Sequence, residues 1–311
     1  MTPMRWRKLG RIFVADSNSE WIHSHGILPI PRALGDFRYR IYFTPRDRQA
    51  RSNISWLDID IRDPTNVLRL SKSPLLTPGA LGYFDDCGAI GCWIVEHDGI
   101  EHLYYQGWNR GVTVSFYVSV GIAVRPAGDP DRPFERVGSG PILDRCIEEP
   151  VFISDPAVLI QNGKWRMWYQ SGRPWMRVGD QLLPSYDIRY ADSSNGRHWN
   201  LTGTKCLSFE HPGEVAIARF CPLQEHDGYY KAWYSYRGND WGYCIGFATS
   251  NDGERWTRRD DQAGIELDPH SWERSMICYP YVFDTELGRM MLYNGGRYGE
   301  AGFGIAVLDQ A

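Results

Sequence analysis

"YYKAWYSYRG" occupies Tyr229–Gly238, and close relatives of it stand at two other places: "KWRMWYQSGR" at Lys164–Arg173 and "IEHLYYQGWN" at Ile100–Asn109. The short aromatic core of this stretch occurs five times. It reads "YRIYF" at Tyr39–Phe43, "HLYYQ" at His102–Gln106, "RMWYQ" at Arg166–Gln170, "KAWYS" at Lys231–Ser235 and "MMLYN" at Met290–Asn294. With Phe43, Tyr105, Tyr169, Tyr234 and Tyr293 as anchors, the intervals are 62, 64, 65 and 59 residues. A period this steady is the mark of a repeat architecture.

The surroundings of each anchor repeat as well. A turn precedes it: "ALGDF", "EHDGI", "IQNGK", "EHDGY" or "ELGRM". Glycine there gives the backbone the freedom a hairpin needs. An apolar strand comes before the turn, as in "DPAVLI" and "CYPYVF", and another follows the anchor, as in "ISWLDI", "IGFATS" and "FGIAV". Two units close with "SSNGRHW" and "SNDGERW", a turn leading to an outer strand. Each unit therefore reads as an antiparallel β-meander of about four strands. A unit this small cannot bury both of its faces alone, but neighbours arranged radially cover one another. The expectation is an all-β chain forming a single five-bladed β-propeller domain. Its blades lie near 20–65, 80–127, 143–200, 208–258 and 267–308, and a strand near 6–14 closes the last blade.

Composition agrees with this class and narrows the function. Aromatic residues make up 14% of the 311 residues, and 32 Gly and 19 Pro punctuate the chain. The formal net charge is −4 with no Lys/Arg block, which argues against nucleic acid as a partner. No apolar run approaches a membrane span, and the basic N-terminus lacks the apolar stretch of a signal peptide. Seven Cys without a CxxC pair suggest reduced, mostly buried thiols and a cytoplasmic protein.

Counting back from the anchors locates carboxylates. Asp86 lies 19 residues before Tyr105, while Glu149, Glu214 and Glu273 each lie 20 before their anchors. That phase is the start of an innermost strand, so the four acids are expected to converge at one mouth of the central channel. Crowded carboxylates repel and raise one another's pKa, which suits a general acid beside a base or an anionic stabiliser. Acids at such positions can instead accept backbone N–H bonds and pin loops. In the first blade the same phase gives His23, with His25 close by in "WIHSHG". Two His one residue apart do not define a metal site, and neither metal nor cofactor is expected. Asp155 follows Glu149 by six residues, and Arg219 and Arg274 could balance carboxylates or grip an anionic sugar substituent. Trp272 offers a face on which a sugar ring could stack.

With its blade repeat, "SDPAVLIQNGKWRMWYQSG" and "YCIGFATSNDGERW", the chain resembles the five-bladed propeller glycosidases over almost its whole length. These are the arabinanases and xylosidases of glycoside hydrolase family 43, the invertases and levansucrases, and the mannoside phosphorylases of family 130. It also resembles propeller proteins encoded with bacterial surface-glycan genes, and the propeller portion of plant glucosamine inositolphosphorylceramide transferases. The resemblance implies a carbohydrate or glycoconjugate substrate and an Asp, Asp, Glu set on the first three blades. Asp86 would match the second member and Glu149 the third. "HSHG" stands where the first Asp is expected, so Glu214 or Glu273 would take its place as base or nucleophile. The leading expectation is an enzyme that cleaves or transfers a glycosyl group, with Glu149 as general acid and Asp86 orienting the sugar. The alternatives are a glycoside phosphorylase or transferase, and a propeller that binds a glycan or sugar nucleotide without turnover.

Overall fold

Turn chemistry fixes the first contacts. Asp98-Gly99 has φ of 50° and 72°, and Asn162-Gly163 has φ of 51° and 76°. Positive φ at both central positions gives the mirror-image turn whose twist matches that of paired strands. Each pair is the whole loop of a hairpin, joining His97 to Ile100 and Gln161 to Lys164.

The computed structural model of the protein describes residues 4–309. Their regular structure is strand, apart from two short 3-10 segments at Asp260–Gln262 and Arg297–Gly299. After β1 (Trp6–Phe13), the first meander runs through β2 (Ser24–Gly35), β3 (Arg38–Arg46), β4 (Ser55–Asp60) and β5 (Asp63–Leu70). The second is β6 (Ala89–His97), β7 (Ile100–Arg110), β8 (Phe116–Pro126) and β9 (Glu135–Arg136). The third is β10 (Ile153–Gln161), β11 (Lys164–Val178), β12 (Gln181–Ser193) and β13 (Asn200–Lys205). The fourth is β14 (Glu214–Gln224), β15 (Tyr230–Gly238), β16 (Cys244–Ser250) and β17 (Thr257–Arg258). The last is β18 (Ile277–Thr285), β19 (Gly288–Gly295) and β20 (Phe303–Leu308).

Hydrogen bonding groups these strands into four sheets, three of four strands and one of eight. The eight-stranded sheet is the third and fourth meanders in series, joined by one parallel pair, Tyr186 with Ala216. β1 pairs antiparallel with β20, Trp6 opposite Leu308 and Phe13 opposite Phe303, and so supplies the fourth strand of the last meander.

The five anchors are each 1% exposed or less. Aromatic contacts run between meanders: Trp93 stacks on Tyr281 at 4.5 Å, and Trp6 meets Trp233 edge-on at 5.6 Å. Burying a side chain of this size contributes about 1.5–3 kcal/mol. Polar latches repeat beside these contacts. Tyr104 donates its hydroxyl to the Gly196 carbonyl of the next meander at 2.7 Å, and the indole N–H of Trp168 reaches Gly253 O at 2.7 Å in the one after. Gly196 has φ of 70°, and a Cβ there would sit 2.6 Å from Trp165 and from the Tyr104 oxygen.

Every innermost strand breaks register near its start, at Leu28-Pro29, Cys92, Asp155-Pro156, Arg219-Phe220 and Tyr279-Pro280. Four of these bulges hold a non-glycine residue at positive φ: Leu28 (53°), Asp155 (44°), Arg219 (46°) and Tyr279 (57°). A bulge frees backbone N–H groups that need new partners. The preceding meander supplies them: Leu28 N–H bonds Asn294 Oδ1 (3.0 Å), Gly91 N–H Thr44 Oγ1 (3.0 Å), Arg219 N–H Asp155 Oδ2 (2.8 Å) and Tyr279 N–H Ser235 Oγ (2.6 Å). The bond from Leu28 to Asn294 links the first meander to the last.

No helix among the described residues is long and apolar enough to cross a membrane. Of the seven free thiols, Cys92, Cys206, Cys221 and Cys278 are buried, Cys87 and Cys244 half-buried, and Cys146 exposed.

Candidate functional site

The carboxylates found by counting occupy a recurring arrangement, but it is not a shared mouth. Glu149 accepts the Tyr169 hydroxyl (2.8 Å), the Ser171 hydroxyl and Arg189 Nη1 (3.2 Å). Glu273 accepts the Tyr293 hydroxyl (2.9 Å), Lys8 Nζ (2.7 Å) and Asp268 N–H (2.9 Å). Glu214 holds Arg258 at 2.8 Å and the backbone N–H groups of Glu210 and His211, while the Tyr234 hydroxyl goes to Asp260. In the second meander the equivalent acid is Asp85. It accepts the Tyr105 hydroxyl (3.1 Å) and Arg136 Nε (2.8 Å), and it lies 20 residues before its anchor. Each buried acid thus has a cation of its own, in the way that makes burial of charge tolerable.

Asp86, one residue on, is half-buried and pins its loop through Gly82 N–H (3.0 Å) and Asn109 Nδ2 (2.6 Å). Burial raises its carboxyl, but these bonds prevail and hold it below the ordinary aspartate value.

A cavity of about 610 Å³ opens at the end of the meanders where the innermost strands begin. That volume falls in the range of small-molecule sites. Trp108, Phe116, Phe152, Tyr186, Tyr279 and Tyr298 give it aromatic walls. Its charged groups are Arg46, Arg237, Arg297, Asp155 and Glu300, with His25 beside them. Every meander contributes, and three of the four strained bulge residues, Leu28, Asp155 and Tyr279, face it. Strain retained at one end of a fold is typical of ligand sites.

Asp155 is 5% exposed. Its Oδ2 accepts Arg219 N–H and Gln170 Nε2 (3.1 Å), and Oδ1 is buried without a hydrogen bond but ion-paired with Arg219 Nη1 at 3.6 Å. Burial pushes its carboxyl up, with the Arg219 charge opposing. Arg219 is 1% exposed and turns away from the cavity, donating to the carbonyls of Cys92 and Pro29. His25 lies at φ of 62° and contacts Ser24 Oγ at 2.9 Å through Nδ1. Burial first, and then the Arg46 charge, bring its pKa down to about 4, so the ring is neutral at physiological pH.

Arg46 and Arg237 have no carboxylate partner among the described residues. Arg237 is 5% exposed and donates only to the carbonyls of Pro184 (2.9 Å) and Gly238 (3.4 Å), leaving Nε buried and unbonded. Burial opposes its charge, but Tyr186, Tyr243 and Tyr298 more than offset this and raise its pKa. Arg46 also has a buried, unbonded Nε; burial lowers its pKa against the influence of Tyr279 and Glu300.

Of the residues singled out by sequence, the structure brings His25 and Asp155 to the cavity. Asp86, Glu149, Glu214, Glu273, His23, Arg219, Arg274 and Trp272 do not line it, which corrects the expectation of a common mouth. His23 contacts Ser17 O through Nδ1 (3.1 Å), Arg274 is exposed, and Trp272 stacks on Tyr293 at 5.6 Å. The physical reason is direction. The acids at the strand starts face their own meander's third or fourth strand, where the cations stand, or β1 in the last meander. Sequence reasoning missed Arg46 and Arg237, yet each lies three residues after an anchor. Counting forward by the same ruler finds them.

No protein-family model matches the chain. It is 39% identical over 306 residues to "Uncharacterized protein MT1551" of Mycobacterium tuberculosis (strain CDC 1551 / Oshkosh), covering 98% of this chain and 100% of that protein. It is also 39% identical over 307 residues to "Uncharacterized protein Rv1502" of Mycobacterium tuberculosis (strain ATCC 25618 / H37Rv), with the same coverage. Among solved structures, a glycosyl hydrolase from Bacteroides ovatus superposes with a TM-score of 0.70 at 14% identity, covering 98% of this chain and 93% of that protein. The alpha-L-arabinofuranosidase PaAbf62A from Podospora anserina in complex with cellotriose gives 0.67 at 11%, covering 99% and 98%. The endo-arabinase from Bacteroides thetaiotaomicron gives 0.63 at 14%, covering 97% and 98%. The chain belongs to the family of these two mycobacterial proteins, and it shares its all-β fold with glycoside hydrolases.

Proposed function

We propose that the five meanders are the blades of a single five-bladed β-propeller domain that binds a carbohydrate in this cavity and cleaves or transfers a glycosyl group there. The observation that carries the reading is Asp155: a buried carboxyl with a raised pKa, at a strained bulge, facing an aromatic-walled cavity to which every meander contributes. An upward shift is the direction a general acid requires. Trp108 and Tyr186 offer faces for sugar rings. His25, neutral and beside Arg46, is placed to hydrogen-bond a sugar hydroxyl. The neighbours of like fold include a glycosidase holding an oligosaccharide, which supports the substrate class. Asp86, Glu149, Glu214 and Glu273 are assigned to the scaffold, since they do not line the cavity that Asp155 lines: three hold a cation elsewhere and Asp86 pins its loop.

A second reading is a glycan-binding propeller without turnover. It is favoured by the engagement of Asp155 Oδ2 with two donors, and by Glu300 being the one other carboxylate at the cavity among the described residues. Incubation with aryl glycosides, oligosaccharides and nucleotide sugars, with and without phosphate, followed by mass spectrometry, separates the two. New products that disappear in Asp155→Asn support catalysis. Products that persist in that variant overturn the role of Asp155, and saturable sugar binding with no product supports the second reading.

A further inference from the structure

We infer that Arg46 and Arg237 form an oxyanion clamp, and that the carbohydrate taken by this cavity carries a carboxylate or phosphate group. The inference rests on the carbohydrate reading above and specifies its substrate class.

A buried guanidinium is stable beside a carboxylate or with all its donors satisfied. The protein meets that demand for buried arginines elsewhere. Arg40 holds Asp58 at 2.7 Å, Arg125 holds Glu101 at 2.6 Å and Arg258 holds Glu214 at 2.8 Å. Arg237 is buried to a similar degree, yet its hydrogen bonds go to carbonyl oxygens, the Tyr186 and Tyr243 rings lie beside it, and its Nε stays unbonded. Arg46 repeats the deficit from the first meander, with Nε buried and unbonded. Both line the same cavity, three residues after their anchors, where the second strands end.

The cavity's two carboxylates do not fill the gap. Asp155 is bonded to the Arg219 backbone N–H and to Gln170, and Glu300 lies at the exposed rim, with no ion pair among the described residues. Arg297, also exposed on that rim, adds a third positive group. The missing partner is therefore an anion that arrives with the ligand. A guanidinium fork matches the two oxygens of a carboxylate or phosphate. The aromatic walls around it suit the ring that carries the anion.

The test is titration calorimetry on the full chain with glucuronic acid, galacturonic acid, glucose 1-phosphate, inorganic phosphate and methyl glucoside. The wild type is compared with Arg46→Met, Arg237→Met and a surface control, Arg132→Met. The expected result is that at least one anionic sugar binds more tightly than methyl glucoside. Its affinity should fall roughly ten- to hundredfold in each clamp variant, as loss of a charged hydrogen bond predicts, and stay unchanged in the control. Affinity should also drop as salt rises. If Arg237→Met does not fold, Arg46→Met and Arg46→Lys carry the test.

Equal affinity for neutral and anionic sugars, or anion binding that survives both clamp variants, overturns the clamp while leaving the carbohydrate reading intact. Binding of inorganic phosphate as tight as any sugar, lost in the clamp variants, supports the clamp and removes the carbohydrate reading. No saturable binding of any anion at millimolar concentration overturns the clamp.

Discussion

Two sets of charges divide the interior of this molecule. At the starts of four innermost strands Asp85, Glu149, Glu214 and Glu273 each hold a cation, and three also hold the phenol of their own anchor tyrosine. At the cavity, Arg46 and Arg237 stand on the same kind of meander without a carboxylate between them. Both sets are repeated and tied to the anchors, so position does not tell them apart. Satisfaction does. The scaffold completes its own hydrogen bonds and ion pairs, whereas a binding site keeps groups in need of a partner.

The largest expected effect comes from breaking a scaffold pair. Glu214→Ala leaves Arg258 buried with Asp260 as its remaining carboxylate and strands the Glu210 and His211 N–H groups, and both members of the Arg258–Glu214 pair are at most 1% exposed at their side chains. The loss should be about 3–5 kcal/mol in urea unfolding; a change below about 1 kcal/mol would erase the distinction between the two sets. The opposite substitution sharpens it. Arg237→Met removes a buried charge that no carboxylate of the fold pairs, so stability should stay within about 1 kcal/mol of wild type or rise. A loss as large as that of Glu214→Ala would return Arg237 to the scaffold.

The smallest effect concerns His25. Its folded pKa of about 4 lies below its ordinary value of 6.5. The unfolded chain therefore binds more protons between these values, and linkage makes stability fall as pH drops from 6.5 toward 4. Above that window this contribution is constant. An NMR titration should place the His25 midpoint near 4, and His25→Gln should flatten the acid limb of the stability curve. A midpoint near 6.5 would show that burial and Arg46 do not act on the ring as the geometry implies.

Much of the fold is legible in the sequence because repetition amplifies weak signals. One "HDGI" is an ordinary turn, but five turns at one phase before five aromatic strands describe a meander repeat. The closing strand near 6–14 is legible too, and β1 spans Trp6–Phe13. The site is legible in part. Glu149 and Glu273 stand 20 residues before Tyr169 and Tyr293 because carboxylate and phenol bond each other, so the interval that locates them measures a structural contact. One residue of error in the second meander moves the choice from Asp85 to Asp86, which face different surroundings. Asp155 and His25 are found through their local context. Arg46 and Arg237 are not, because an arginine after a strand looks the same in sequence whether or not a carboxylate waits for it.

The pairing of β1 with β20 has a further consequence for how the molecule comes to exist. β1 finds its sheet neighbour only when β20 has been made, with Trp6 waiting for Leu308. Until then the edge of the last meander stands open, and β1 has no sheet to join. Loop closure over such a span makes this a late and slow event. The nascent chain must carry β1 without its sheet partner while the intervening meanders are made, and that strand is where a trapped or chaperone-bound intermediate of this protein should be sought.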